Sequence, residues 1–106
     1  MTLDQLLFER AGLLEGARVA TQLQHWIGAA VHFGRMPTSA QLGEYLGKTE
    51  RTGERSRAVV RRHFTEVEFR AIVEQAASYG YGHEFRSIDV GLPVDREVRA
   101  LRGAAA

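Results

Sequence analysis

The stretch Pro37–Phe64, PTSAQLGEYLGKTERTGERSRAVVRRHF, decides the fold. Pro37 ends whatever precedes it, because proline lacks a backbone N–H and disfavours helix in the residue before it. Thr38, with Gln41 three residues on, has the spacing of a capping box. Leu42 and Leu46 share a face at i, i+4, with Tyr45 beside them. Gly47 follows at the position where helices commonly end in a left-handed residue. These signals predict a helix of about two turns over residues 39–46. A second helix is expected to start after Thr52 or Gly53, with residues 48–53 as a loop. At about 100° per residue, its buried face carries Val60 and Phe64, with Ser56 and Val59 or His63 near the edges. The opposite face carries Arg55, Ala58 and Arg62, flanked by Arg61 and Glu54.

Charge is gathered in the same place. Between Lys48 and His63 stand Lys48, Arg51, Arg55, Arg57, Arg61 and Arg62, against Glu50 and Glu54. Six cations against two acids leave +4 there, whereas the 106-residue chain is only +1, so the remainder is −3. A near-neutral chain with one basic window argues for a localised contact rather than coating by bulk charge. Arginines one turn to either side of a small residue suit a DNA groove, where guanidinium groups fork onto guanine edges or phosphates. A solvated face of a structural helix is the bland alternative, since arginine is a good helix former.

The run Gly34-Arg35-Met36-Pro37-Thr38, then Leu42, Leu46-Gly47, a polar connection, Ser56 and Val59-Val60 resembles a helix-turn-helix. More narrowly, residues 19–64 resemble the N-terminal DNA-binding domain of plasmid KfrA-type proteins, which often begin the helix pair with Gly-Arg-x-Pro-Thr. The resemblance implies double-stranded DNA binding and a transcription regulator of the plasmid or phage kind, such as a repressor. The sequence departs from the pattern in one respect. Leu46 and Val59 are thirteen residues apart, where a tight turn puts only a few residues before the next buried aliphatic. That spacing favours a looped variant related to winged helices. The long coiled-coil tail of the family is absent from these residues, so the family's whole-protein role is not carried over.

Outward from this centre, the chain reads as helices. Residues 2–11 form a first one, capped by Thr2 with Gln5, with Leu3, Leu6, Leu7 and Ala11 at helical spacing. Gly12 and Gly16 flank Leu13-Leu14 and predict a break. Residues 17–33 are the longest helix and the spine of the core, through Val19, Leu23, Trp26, Ile27, Ala30 and Val31, with Gly34 as C-cap. Trp26 is read as packing. Residues 65–79 form the next helix, with Thr65 and Glu68 as a capping box and a broad apolar face of Val67, Phe69, Ala71, Ile72, Val73 and Ala76. Its acids Glu66, Glu68 and Glu74 contrast with the preceding arginines, so this helix is expected to point away from phosphate. Tyr79-Gly80-Tyr81-Gly82 is a turn. Residues 83–90 read as a short strand, which pairs with a second chain, forms a wing arm, or lies on the core as an extended segment. Asp95 caps a last short helix with Val98 and Leu101.

The fold class expected is therefore mostly α: a helical bundle containing a looped helix-turn-helix, with a short C-terminal strand or arm. Residues 1–92 make the helical DNA-binding domain and 93–106 the tail. The chain has 44% hydrophobic and 25% charged residues, ordinary for one globular domain with a modest core. It has no cysteine, which removes disulfides and thiolate metal sites and fits the cytoplasm. No signal peptide or bilayer-spanning run is read from it. His25, His32, His63 and His83 show neither His-x₃-His nor HExxH spacing, so no metal or other cofactor is expected. There is no phosphate loop or nucleophile elbow, and no paired carboxylates are placed in a pocket, so catalysis is not expected and no small-molecule substrate is evident.

The function expected is sequence-specific binding of double-stranded DNA. Thr38, Ser39, Gln41 and the loop with Lys48, Arg51 and Thr52 would hold the backbone. Arg55 and Arg62, joined by Arg57, Arg61 and His63, would enter the major groove. One helix reads few base pairs, so a homodimer on a palindromic site is expected, joined through residues 1–16 or the tail after Tyr79. The rival is a helical protein-interaction module whose arginines meet the carboxylates of an acidic partner. RNA is disfavoured because few aromatics are interleaved with the basic run.

Overall fold

A computed structural model describes residues 1–80 and 84–93. Their architecture is four helices and one 3-10 turn, with no strand among the described residues. The helices are α1 (Leu3–Phe33), α2 (Ser39–Tyr45), α3 (Glu50–Arg61) and α4 (Glu66–Ala77). Tyr81 and Gly82 of the expected turn, His83, and the short helix expected around Val98 and Leu101 lie outside the described residues.

Capping signals set the starts of three helices. Thr2 with Gln5, Thr38 with Gln41 and Thr65 with Glu68 all form reciprocal capping boxes. Each box satisfies two backbone donors that the first turn leaves unpaired.

The helix α1 is bent at one residue. Gly12 has φ 79° and ψ −176°, a backbone region that is essentially glycine's own. The short arm, residues 3–11, folds back onto the long arm, residues 13–33. At Gly16 a Cβ would sit only 3.1 Å from the Leu7 carbonyl oxygen. The break expected between Gly12 and Gly16 is thus a single-residue corner, and helix resumes four residues earlier than the spacing suggested. The long arm is the spine of the core. Val19, Leu23 and Trp26 are fully buried, and the Trp26 ring meets Phe69 of α4 edge-on at 5.1 Å between centroids. Gly34 ends the helix in the left-handed region, its N–H donating to Ala30.

Helix α4 packs across α1 through Phe69, Ile72, Val73 and Ala76. Val67, expected on that apolar face, is 53% exposed instead. Between α3 and α4 the chain turns a corner over residues 62–65, closed by the buried ring of Phe64. The expected strand is a 3-10 turn, Phe85–Ser87, followed by an extended run in which Ile88 and Val90 are buried. This run lies on the core beside the N-terminus: Leu3 donates to the Ile88 carbonyl at 2.9 Å, and Val90 to Met1 at 3.0 Å. The Gln75 side chain brackets Gly91, donating to its carbonyl and accepting from its N–H.

The connection between α2 and α3 differs from the sequence expectation. Helix α3 starts at Glu50, so the link is the four residues 46–49 and not a loop to Gly53. Gly47 takes φ 67°, which lets the chain reverse in so short a span. The reason is packing. Helices α2 and α3 touch backbone to backbone at two glycines. A Cβ on Gly43 would fall 2.2 Å from the Thr49 carbonyl oxygen, and one on Gly53 would fall 2.0 Å from that of Ser39.

Candidate nucleic-acid interface

The rotation of α3 about its axis fixes what it offers to solvent. Gly53 faces Ser39 of α2. Ser56 is buried and accepts a 2.9 Å hydrogen bond from the Trp26 indole N–H. Val59 and Val60 are buried in the core. These contacts pin one side of the helix. At 100° per residue the opposite side carries Arg51, Arg55, Ala58 and Arg62 in nearly one line. All four are exposed. No carboxylate among the described residues lies within ion-pair distance of Arg51, Arg55 or Arg62. The eleven residue steps from Arg51 to Arg62 span about 16 Å along a helix. Arg51 belongs to this stripe only because α3 begins at Glu50; a loop would have left it elsewhere.

The remaining residues expected at the interface fall into three groups. Lys48, in the turn, is exposed, and Thr49 beside it is an N-cap whose side chain makes no cap hydrogen bond. Thr52 is half-buried in the first turn of α3, its N–H donating to Thr49. Thr38 and Gln41 are engaged in their capping box, at 3.1 Å and 3.0 Å. That box uses the hydroxyl oxygen and the amide oxygen, so the hydroxyl hydrogen and the NH₂ remain free to donate. Ser39 is half-buried, its backbone against Gly53.

The third group faces inward along the protein. Arg57 pairs with Glu66, and Arg61 meets the same carboxylate oxygen at 3.0 Å. Arg61 also donates through Nε to the Phe64 carbonyl at 3.2 Å, and Arg57 lies 6.0 Å from the Phe69 ring centre. His63 is half-buried, with Nε2 3.4 Å from Glu15 of α1. Arg57, Arg61 and His63, expected in the groove, are therefore turned to the protein's own carboxylates.

Two residues to which the sequence reading gave no place at the site organise this corner. Arg10 grips Glu68 with both guanidinium nitrogens, at 3.0 Å and 2.6 Å, donates to the His63 carbonyl, and lies over the Phe64 ring. That fork holds the Glu68 carboxyl below its usual range, against the opposing effect of burial, and holds the Arg10 guanidinium above its own. Glu66 is the other. Glu66 pairs with Arg57 and Arg61, and Glu68 with Arg10, because the corner at 62–65 brings the start of α4 beside α3 and the short arm of α1.

The histidines at 25 and 32 do not converge on one another: the His32 ring packs against Phe33 and Tyr45. No group of three or more His, Asp or Glu among the described residues could hold a metal ion. No helix among them is long and apolar enough to cross a membrane. Near the Gly12 corner, Phe8, Leu13 and Leu14 are 63%, 75% and 87% exposed. No protein-family model, curated protein or solved structure matches this chain.

Proposed function

We propose that this chain binds double-stranded DNA, laying α3 in the major groove as the second helix of a helix-turn-helix, and acts as a cytoplasmic transcription regulator. The observation that carries the reading is the stripe Arg51–Arg55–Ala58–Arg62: exposed, collinear and free of carboxylate partners among the described residues. A major groove about 12 Å wide admits one α-helix. Ala58 permits close approach, and arginines on either side reach guanine edges or phosphates. Lys48, Thr49, Thr38 and Gln41 supply backbone donors at the turn and at the start of α2. Four residues between the helices and glycines at both crossing points support the helix-turn-helix description.

One recognition helix reads only a few base pairs, so the proposal includes a homodimer on a two-fold site. The apolar corner of Phe8, Leu13 and Leu14 is the surface suited to that contact. The same exposed arginines also suit the rival reading, a module that docks on an acidic protein through them. Selection of bound sequences from random duplexes separates the two. DNA binding returns an enriched site with two inverted half-sites about one helical turn apart. Absence of any enriched sequence contradicts it.

A further inference from the structure

We infer that Glu66 withholds Arg57 and Arg61 from nucleic-acid phosphate, and so sets how much of the binding energy of α3 is independent of base sequence. This inference rests on the DNA-binding reading above.

Helix α3 and its C-cap carry five arginines, and the structure divides them. Arg51, Arg55 and Arg62 form the free stripe. Arg57 and Arg61 share one carboxylate oxygen of Glu66. The sharing is built from both sides. The Thr65 capping box fixes the start of α4 and puts Glu66 in its first turn. The Phe64 carbonyl holds Arg61, and the Phe69 ring lies against Arg57. All three charged side chains are between a third and two-fifths exposed, so solvent reaches them. A pair of this kind contributes little to stability, about 0–1 kcal/mol. Its consequence is for binding. Arg61 leaves the helix about 100° and Arg57 about 140° around the axis from the stripe, so without Glu66 two more long guanidinium side chains would be free to swing toward the phosphate chain. With it, a phosphate that approaches either arginine meets a carboxylate a few ångströms away, and the two negative charges repel.

Phosphate contacts raise affinity for every sequence alike, whereas base contacts discriminate. Removing the Glu66 charge therefore strengthens binding to all DNA and lowers the ratio between a selected site and random duplex. Each phosphate gained steepens the plot of log affinity against log salt by about 0.9. Two released arginines steepen it by up to about 1.8, or about 3–4-fold extra affinity loss per contact between 50 and 200 mM salt.

The test is fluorescence anisotropy with a random-sequence duplex across a salt series, using the wild-type chain, Glu66→Gln, Arg57→Ala/Arg61→Ala, and the triple combination. The slope is expected to steepen in Glu66→Gln, to stay at the wild-type value in Arg57→Ala/Arg61→Ala, and to return to it in the triple variant. The double arginine variant tests the inference even if Glu66→Gln folds poorly. A flatter slope in the double arginine variant overturns the inference, because those arginines would already contact phosphate. An unmoved slope in Glu66→Gln overturns it, as does steepening that survives in the triple variant. In these cases a salt-dependent wild type leaves the DNA reading standing. A wild-type chain with no salt-dependent binding overturns both.

Discussion

Substituting Gly53 by alanine tests the helix crossing on which the whole interface depends. A Cβ at this position would lie 2.0 Å from the Ser39 carbonyl oxygen, 2.7 Å from its carbon and 2.9 Å from its Cα, where ordinary contact begins at 3.4 Å. Backbone cannot rotate aside as a flexible side chain can, so α2 must retreat from α3 by more than 1 Å. Two effects compete. Alanine gains about 1 kcal/mol over glycine inside a helix. Overpacking costs about 1–3 kcal/mol, and the upper end applies where backbone is struck. Overpacking wins, by about 1–2 kcal/mol, which lowers the melting temperature by about 5–15 °C for a domain of this size. Thermal unfolding followed by circular dichroism measures it. Gly91→Ala serves as the comparison, because its Cβ would meet nothing nearer than 3.8 Å. A Gly53→Ala protein as stable as the wild type would refute the backbone contact. It would also refute the start of α3 at Glu50 and the place of Arg51 on the stripe.

Three further outcomes follow from the packing and charge. Ser56→Ala leaves the Trp26 indole N–H buried without an acceptor, so it lowers stability by about 1–3 kcal/mol in a denaturant titration. The Glu68 carboxyl is held below its usual value of 4.5 in the folded state, chiefly by Arg10. Its contribution is complete above that value and is lost as pH falls through the folded one, so the wild type loses stability in acid, while Glu68→Gln is weaker near neutrality and shows a flatter acid limb. Leu14→Asp places a charge on the exposed corner at Gly12, and sedimentation equilibrium is expected to show weaker self-association with the helical content unchanged.

Much of this fold is legible residue by residue. The three capping boxes, the left-handed glycines at 34 and 47, and the apolar spacing of Val19, Leu23, Trp26 and Ile27 are local signals with local causes. The start of α3 is not legible in the same way. Its first two buried positions are Gly53 and Ser56, which carry no apolar signal, so the hydrophobic pattern begins only at Val59. These residues are small because α2 and the Trp26 indole come close, which is a tertiary circumstance. One local cue did exist: Thr49 followed by Glu50 is an N-cap and an acidic first turn. The acids of α4 show the same limit. Their contrast with the arginines is visible in sequence, but the pairing of Glu66 with Arg57 and Arg61 depends on the corner at 62–65. The run after residue 84 finds its partner at Met1 and Leu3, at the opposite end of the chain, where no spacing rule reaches.

The arginine stripe on α3 is tested most directly by measuring duplex-DNA affinity across a salt series for the wild-type chain and for Arg51→Ala/Arg55→Ala/Arg62→Ala. All three residues are exposed, so the variant keeps its fold. The account predicts steep salt dependence in the wild type, and a slope shallower by up to about 2.7 in the variant if all three meet phosphate. Any of the three that reads a base instead shows its loss as failure to prefer the selected site over random duplex. Equal affinity and equal slope for the two proteins would contradict it.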